Sequence, residues 1–302
     1  MSADAQLDKQ QGGFDGPVLL IGGAGMLGRA WSELLSGRGV QYFAPGRDQL
    51  DLTRAQDIDI AIDQRYRLII NCAAWTDVDG AETQYAMAHH LNAQVPGNLA
   101  RRCAEVGVRL LHYSTDYVFD GLADSPYSPQ AQRVPVNAYG RSKAEGEERI
   151  EQAGCSYLII RTSGLYAPWG RNFVRTMAKL MRHRDRLQVV NDQRTRVTSA
   201  EHLAQASLAL IEAGADKIYH CCGGDCCTWF EFASQIAKSL DVACHVEPCT
   251  TDEYPLPAKR PAYSVLEISV TERVVGLSLP WLQQLVQVLP RLEADLTLSS
   301  KR

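Results

Sequence analysis

A glycine-rich turn near the start of the chain places the strongest constraint on its fold. Residues 18–22 form an apolar run typical of a buried strand, and residues 26–36 have the spacing of an amphipathic helix. Between them, Gly22, Gly25 and Gly28 follow a Gly-x-x-Gly-x-x-Gly spacing. Glycines here permit a tight turn, let the backbone approach a pyrophosphate and allow close packing of helix on strand. The turn therefore predicts a dinucleotide-binding α/β fold.

Apolar runs and amphipathic segments continue to alternate as far as about residue 161. Further strands are expected at residues 40–44, 68–71, 109–114 and 157–161, and helices at 53–64, 81–92, 95–105 and 139–152. Thr53 is the expected N-cap of the first of these helices. Repeated strand–helix units build parallel sheets with helices on both faces. We therefore predict an α/β fold with a Rossmann-type, doubly wound parallel sheet.

Beyond residue 161 the composition changes, because loops lengthen and prolines gather between Pro168 and Pro261. This change predicts a smaller C-terminal substrate-binding domain. We expect a flexible tail at residues 1–16 and an NAD(P)-binding Rossmann domain at 17–165, with a return strand near 187–190. Residues 166–302 are expected to form mainly the substrate-binding domain.

Composition excludes several classes of partner. The 302-residue chain has a net charge of −4, which gives no electrostatic reason to expect nucleic acid or an anionic membrane. No apolar run approaches the roughly 18 residues of a membrane span. The chain has nine cysteines, an odd number, and is large enough to fold without disulfide bonds. We therefore expect reduced cysteines and a cytoplasmic location. The cysteine cluster at residues 221–227 lacks zinc-site spacing, and we predict core packing rather than a metal site.

Other residues are expected to contact the same dinucleotide. Arg47 follows the second strand, where NAD-binding proteins usually carry an acidic residue, so it favours the 2′-phosphate of NADPH. A solvated loop arginine is the alternative, and NADH is then the alternative cofactor. The expected cofactor contacts are Gly22, Gly25, Met26, Leu27, Gly28, Arg47, Asp51, Leu52, Ala73, Ala74, Thr76, Tyr139 and Lys143.

A tyrosine and a lysine four residues apart form the candidate catalytic pair. Tyr139 and Lys143 share one face of a predicted helix, where the lysine cation would lower the pKa of the phenol. Thr115, at the end of a predicted strand, would hold the reacting oxygen against Tyr139. The Tyr-x-x-x-Lys spacing is common in helices, and the glycine turn is what makes it informative here. Together the three residues predict that Tyr139 hands over or takes a proton near neutral pH.

These residues resemble the extended short-chain dehydrogenase/reductase superfamily and, within it, the dTDP-4-dehydrorhamnose reductase family, over residues 18–292. The resemblance is carried by residues 114–121 (Ser-Thr-Asp-Tyr-Val-Phe-Asp-Gly), 139–143 (Tyr-Gly-Arg-Ser-Lys), 161–163 (Arg-Thr-Ser), 172–173 (Asn-Phe), 191–193 (Asn-Asp-Gln) and 259–261 (Lys-Arg-Pro). It implies NADPH-dependent reduction of the C4 ketone of a nucleotide-linked deoxysugar, dTDP-4-dehydro-L-rhamnose, in dTDP-L-rhamnose biosynthesis.

The resemblance also implies roles for single residues. Tyr139 would donate a proton to the developing alkoxide, and Lys143 would bind the nicotinamide ribose. Thr115 would orient the carbonyl. The remaining substrate contacts implied are Asp116, Gly164, Asn172 and Arg260, the last two at the diphosphate. Sugar-nucleotide dehydratases of the superfamily place a glutamate after the aspartate, whereas this chain has Tyr117, which favours reduction over elimination.

The chain departs from the family pattern at several positions. Gly164 stands where the family usually has a tryptophan, and Trp169 is the candidate substitute for that sugar-facing surface. Arg194 and Arg196 add positive charge where the family usually has a Tyr/Phe-Gly-x-Pro-Thr run. Ala30 replaces a glutamate that some relatives use in magnesium-bridged dimers, so we predict no structural metal.

Two alternatives to a reductase remain open at this stage. One is a non-catalytic NADP-binding regulatory subunit, like that of methionine adenosyltransferase. The other is an epimerase that recycles bound cofactor without net consumption. The partners expected are a nucleotide-sugar substrate and, in a homodimer, a second copy of the chain.

Overall fold

The computed structural model describes residues 16–299, with side chains as far as residue 294. The predicted flexible tail at 1–16 therefore lies outside the described residues, apart from Gly16. The helices and strands are β1 (Val18–Ile21), α1 (Met26–Gly37), β2 (Tyr42–Phe43), α2 (Ala55–Ala61), β3 (Leu68–Asn71), α3 (Gly80–Thr83), α4 (Tyr85–His89), a π-helical turn (His90–Gln94), α5 (Val95–Val106), β4 (Arg109–Thr115), a 3₁₀ turn (Asp116–Val118), α6 (Ala138–Gln152), β5 (Tyr157–Thr162), β6 (Leu165–Tyr166), α7 (Phe173–Met181), β7 (Arg186–Val190), β8 (Arg194–Thr195), β9 (Thr198–Ser199), α8 (Ala200–Glu212), β10 (Lys217–His220), β11 (Cys227–Thr228), α9 (Trp229–Ser239), β12 (His245–Cys249), α10 (Ser269–Val275) and α11 (Trp281–Ser299).

A six-stranded parallel sheet forms the larger part of the molecule, in the order β2-β1-β3-β4-β5-β10. Strands β1 and β3 are buried along their whole length, as expected for strands covered by helices on both faces. One face packs against α1 and α8 through residues such as Trp31 and Leu203, and the other against α2 and α5. The predicted doubly wound parallel sheet is confirmed.

The order of the strands determines where a ligand can bind. The chain leaves β1 for β2 on one side and continues with β3 on the other. Such a change of direction opens a crevice at the carboxyl ends of the strands, where open α/β sheets bind their ligands. The glycine turn, Asn71 and Thr115 all lie at this edge of the sheet.

The predicted return strand near 187–190 is wrong. β7 instead pairs with β12 in a separate two-stranded sheet, and β10 is the strand that returns to the main sheet. The burial of β7 explains the difference, since Leu187 and Val189 are buried whereas Arg186 and Gln188 are exposed. This alternation suits a sheet with one covered face rather than a place inside the main sheet.

The N-cap expected at Thr53 is also wrong. Helix α2 begins at Ala55 after Arg54, which provides no side-chain cap. The Thr53 hydroxyl instead donates to Oδ1 of Asp51 over 2.7 Å, and the Thr53 backbone N–H donates to the same atom over 3.0 Å. Thr53 therefore stabilises the loop before α2 and does not cap the helix.

Helices α7, α9 and α11 form a second apolar core with β7. Phe232 and Leu285 are fully buried in it. The division of the chain at residue 165 stays a prediction, because α8 and β10 lie beyond that point and still pack on the large sheet. Within residues 16–299, no helix is long and apolar enough to cross a membrane.

Candidate active site

The glycine turn brings the N-terminus of α1 against the loop after β3. Gly22 has a φ of +77°, and a Cβ atom there would lie 2.7 Å from the backbone nitrogen of Ala73. At Gly28 a Cβ atom would lie 2.1 Å from the Gly22 carbonyl oxygen, so only glycine permits this approach. Gly25 caps α1 without any side chain, and no acidic residue lies in the first turn. The backbone N–H groups at the N-terminus of α1 are therefore suited to binding an anionic pyrophosphate.

A cavity of about 850 Å³, the cofactor cavity, extends from this turn along the sheet edge. All of the predicted cofactor contacts line it except Gly28, which packs within the turn. Arg47 is exposed at its rim. Asp51 also lines it, and hydrogen bonds from Thr53 lower the pKa of its carboxyl group. The cavity has the position and the backbone cradle that a dinucleotide requires.

A second cavity of about 550 Å³, the outer cavity, adjoins the first. Thr115, Asp116 and Tyr139 line both cavities, so they lie where the two meet. The outer cavity is lined by two aspartates, Asp77 and Asp116, and by three arginines: Arg171, Arg194 and Arg260. A ligand that spans both cavities would place its reacting atoms beside Tyr139.

Local structure fixes the position of Tyr139. Helix α6 begins at Ala138, where the Asn137 side chain caps it by accepting a 2.7 Å hydrogen bond from the Gly140 N–H. A Cβ atom at Gly140 would lie 2.1 Å from the Tyr117 carbonyl oxygen, so glycine lets the helix approach the 3₁₀ turn after β4. The first turn of α6 is thereby held against Thr115 and Asp116.

Thr115 and Asp116 are buried side by side. The Thr115 hydroxyl donates to Oδ1 of Asp116 over 3.0 Å and accepts from the Tyr117 N–H over 3.1 Å. Burial raises the pKa of Asp116 to about 6, although hydrogen bonds from Ser264 and Thr115 oppose the rise. The Asp116 carboxyl group therefore titrates close to neutral pH.

The expected lowering of the Tyr139 pKa is wrong for this structure. Burial and the Asp116 carboxylate raise the pKa of Tyr139 above its usual value, and a hydrogen bond from Thr115 only partly opposes them. The Nζ of Lys143 donates instead to the Tyr113 carbonyl oxygen over 2.6 Å. The phenol thus stays protonated at neutral pH, the form a proton donor needs.

Lys143 is itself buried, and sequence reasoning missed its neighbour His112. Burial lowers the pKa of Lys143 to about 8, opposed by the nearby Glu147 carboxylate. Its Nζ lies 3.2 Å from Nε2 of His112. The sequence signal that could have identified His112 is its position as a polar residue inside the apolar run of β4. In the structure it lies opposite Asn71 on β3.

The predicted diphosphate contacts occupy the outer cavity in different ways. Arg260 donates to Oδ2 of Asp79 over 3.0 Å and to the Ala258 carbonyl oxygen. Asn172 caps α7, and its amide also donates to the carbonyl oxygens of Ala167 and Trp169. The Asn172 side chain thus has a structural role, whereas Arg260 keeps its guanidinium in the cavity wall.

Trp169 does not replace the tryptophan absent at Gly164. Its ring is buried between the guanidinium groups of Arg29 and Arg291, and its Nε1 donates to the Met26 carbonyl oxygen over 2.9 Å. Gly164 has a φ of +54°, and a Cβ atom there would lie 2.9 Å from a methyl carbon of Val197. Gly164 lines both cavities and has no room for a side chain, and its contact with substrate stays a prediction.

Two aromatic residues that the sequence did not single out as a pair line the outer cavity instead. Phe173 and Trp229 have ring centroids 4.7 Å apart. Of the two additional arginines, Arg194 lines this cavity, whereas Arg196 donates to the carbonyl oxygens of Leu266 and Gly223. In residues 16–299, no group of three or more His, Cys, Asp or Glu side chains could hold a metal ion.

Comparison with known proteins places this geometry in a family. The model of the RmlD substrate binding domain matches residues 16–294. A dTDP-4-keto-6-deoxy-D-glucose reductase of Streptomyces niveus is 36% identical over 282 residues, covering 92% of this chain and 98% of that protein.

Two crystal structures of dTDP-4-dehydrorhamnose reductases share the whole fold. The enzyme from Clostridium acetobutylicum matches with a TM-score of 0.89 at 36% identity, covering 92% of this chain and 99% of that one. The enzyme from Bacillus anthracis, solved in complex with NADP, matches with a TM-score of 0.87 at 32% identity, covering 91% and 98%. The chain therefore belongs to the RmlD substrate-binding-domain family, the family of the dTDP-4-dehydrorhamnose reductases.

Proposed function

We propose that the protein is an NADPH-dependent reductase of the C4 ketone of dTDP-4-dehydro-L-rhamnose. The observation that carries the proposal is the junction of the two cavities. There, Thr115 and Tyr139 lie between a cradle suited to a dinucleotide and a cavity lined by three arginines. A reductase needs this arrangement, because the ketone must meet both a hydride donor and a proton donor.

The residues at the junction supply the proton and hold the ketone. Reduced nicotinamide supplies a hydride when bound. Tyr139 holds a proton on its partly buried phenol and gives it to the alkoxide oxygen that develops as the ketone is reduced. Thr115 can turn its hydroxyl from Asp116 to the ketone oxygen, since both lie at the same junction. Lys143 is the basic residue of α6 that lines the cofactor cavity, where it would bind a ribose hydroxyl and return a proton to Tyr139.

The outer cavity supports a nucleoside diphosphate as the other part of the substrate. Arg171, Arg194 and Arg260 present guanidinium groups, which bind phosphate oxygens with two parallel hydrogen bonds. The relatives' names add two dTDP-linked sugars, dTDP-4-dehydrorhamnose and dTDP-4-keto-6-deoxy-D-glucose. Phe173 and Trp229 offer aromatic surface for the base or the sugar.

The proposed preference for NADPH rests on Arg47 and on the relative solved with NADP. Arg47 lies at the rim of the cofactor cavity, beyond β2, where a 2′-phosphate would be accessible to it. A lower Michaelis constant for NADH than for NADPH would overturn this preference.

The direct test is loss of absorbance at 340 nm with purified protein, NADPH and one ketosugar at a time. The sugars to compare are dTDP-4-dehydro-L-rhamnose, dTDP-4-keto-6-deoxy-D-glucose and a UDP- and a GDP-linked 4-ketosugar. Stoichiometric NADPH loss with the first sugar supports the proposal and rules out an epimerase that recycles its cofactor. NADPH binding without turnover of any sugar would favour a regulatory, non-catalytic role.

We also propose a cytoplasmic location and a homodimer. All nine cysteines are free thiols, which suits a reducing compartment. Sedimentation at several protein concentrations would test the dimer.

A further inference from the structure

A chain of hydrogen bonds connects Lys143 to the backbone of the cofactor cavity through two buried side chains. The Ala73 N–H donates to Oδ1 of Asn71 over 3.1 Å. Nδ2 of Asn71 lies 3.0 Å from Nδ1 of His112, and Nε2 of His112 lies 3.2 Å from Nζ of Lys143. Asn71, His112 and Lys143 are each at most 2% exposed, so water cannot substitute for a missing partner.

The Ala73 N–H fixes the direction of this chain. Because Oδ1 of Asn71 accepts from Ala73, its Nδ2 must donate toward His112. Nδ1 of His112 is then an acceptor, and the single proton of the neutral imidazole lies on Nε2. Burial lowers the pKa of His112 well below its usual value, so this ring is neutral. The Nε2–H therefore points at Nζ of Lys143.

Only an uncharged amine satisfies this arrangement. A neutral Lys143 has a lone pair for the His112 N–H, while one of its own hydrogens reaches the Tyr113 carbonyl oxygen. An ammonium group has no lone pair and would face the His112 N–H as a second donor. To accept from the ammonium group, His112 must move its proton to Nδ1, and the Asn71 amide must turn its oxygen toward the ring.

Turning the amide releases the Ala73 N–H. Its neighbour would then be the Asn71 NH₂ group, which cannot accept, so this N–H loses its hydrogen-bond partner. Two consistent states result. One has a neutral Lys143 and a bonded Ala73 N–H, and the other has a charged Lys143 and a free Ala73 N–H.

We propose that Asn71 and His112 are positioning residues that couple the charge of Lys143 to dinucleotide binding through the orientation of the Asn71 amide. The coupling deepens the proposed role of Lys143 as a ligand of the cofactor ribose and rests on it. The charged state offers the cofactor an ammonium group, so NADPH binds it more tightly, and the lost Ala73 hydrogen bond is the cost of reaching that state. By linkage, bound NADPH favours protonation of Lys143.

Other ionisable groups near Lys143 must be considered in a pH experiment. Glu147 and Tyr139 lie one helical turn away on α6, and Arg161 on β5 is paired with Glu147 over 2.6 Å. Cys72, on the loop after β3, lines the same cavity, and burial raises the pKa of its thiol above the experimental range. Glu147 stays charged above pH 7, since its hydrogen bond and ion pair with Arg161 outweigh burial and lower the pKa of Glu147.

The test is to measure the dissociation constant of NADPH by fluorescence, without any sugar, from about pH 7 to about pH 10. The 2′-phosphate of NADPH is fully ionised in this range, so it does not contribute to the pH dependence. Wild-type affinity should weaken as pH rises through the Lys143 pKa, about 8. His112→Gln can present an amide oxygen to the ammonium group independently of Asn71, so the midpoint should rise by about one pH unit. His202→Gln, at a partly buried histidine on α8 away from both cavities, should leave it unchanged.

Asn71→Asp gives a second test in case His112→Gln fails to fold. A carboxylate accepts from both Ala73 and Nδ1 of His112, which leaves Nε2 free to accept from the ammonium group, and the midpoint should again rise. An unshifted midpoint in either folded variant, or a wild-type affinity independent of pH in this range, would overturn the coupling. Wild-type protein that binds no NADPH would overturn the cofactor assignment as well, whereas failure to reduce a sugar would leave the coupling intact.

Discussion

The Thr115 hydroxyl lies 3.0 Å from Oδ1 of Asp116 and donates to it inside the protein, where Asp116 is only 4% exposed. A carboxylate at this depth is costly even with two or three hydrogen bonds, and the pKa of about 6 reflects that cost. Asp116 therefore serves the site at the expense of stability.

Asp116→Asn should stabilise the protein at pH 8 by about 1–3 kcal/mol, since one pKa unit corresponds to about 1.4 kcal/mol. The pKa of Asp116 is higher in the folded state than in the unfolded state, so the folded state loses stability as pH rises from about 4 to about 6. Below about pH 4, the free energy of unfolding of Asp116→Asn should equal that of the wild type. Urea unfolding at pH 8 and pH 4 measures the difference. Asp124→Asn, at an exposed loop aspartate, is the control. A less stable Asp116→Asn protein at pH 8 would refute this.

Gly164→Ala should destabilise the protein, because the new methyl group would meet Val197 and the Arg196 carbonyl oxygen within 3.0 Å. Gly154→Ala is a matched control, since Gly154 has a φ of +75° and nothing within 4 Å of its Cβ position. Both variants carry the cost of left-handed backbone, about 1 kcal/mol. Gly164→Ala should cost about 1–3 kcal/mol more in urea unfolding. Equal losses would show that the contact is relieved by a small local shift.

Arg194→Gln should raise the KM for the dTDP-sugar about tenfold and leave kcat unchanged, as expected when a group binds ground state and transition state equally. The reason is loss of one of the three guanidinium groups of the outer cavity. The KM for NADPH should not change. Arg186→Gln provides the control, because Arg186 is exposed and pairs with Glu247 outside the cavity. An unchanged sugar KM would assign Arg194 to its contacts with Glu231 and Cys226 alone.

The features predicted correctly from the sequence are those that depend on residues close together in the chain. The β1–turn–α1 unit was found because its apolar run, glycines and helix lie within twenty residues and specify one another. The placement of Thr115, Tyr139 and Lys143 around one crevice followed in the same way from strand ends and helical spacing. The family resemblance added the outer cavity residues, of which Arg260 lines the wall and Asn172 caps a helix.

Contacts between segments that are far apart in the chain were not predicted from the sequence. The charge environment of Lys143 depends on His112, which lies 31 positions away on a neighbouring strand. The Trp169 ring was the candidate for the sugar-facing surface, yet it packs against arginines of α1 and α11. β7 has the composition of a sheet strand, and only the position of β12 decides which sheet it joins. Each of these outcomes depends on tertiary packing rather than on local propensity.

The most direct test of the account is the turnover of Tyr139→Phe compared with its affinity for NADPH. Removing the phenol hydroxyl takes away the proton donor but leaves the cofactor cavity intact, so kcat should fall by at least about a thousandfold while the dissociation constant of NADPH changes by less than about threefold. Tyr85→Phe, at a partly buried tyrosine bonded to Glu145, should keep its activity. If Tyr139→Phe reduces dTDP-4-dehydro-L-rhamnose at the wild-type rate, the proposed reductase mechanism is wrong.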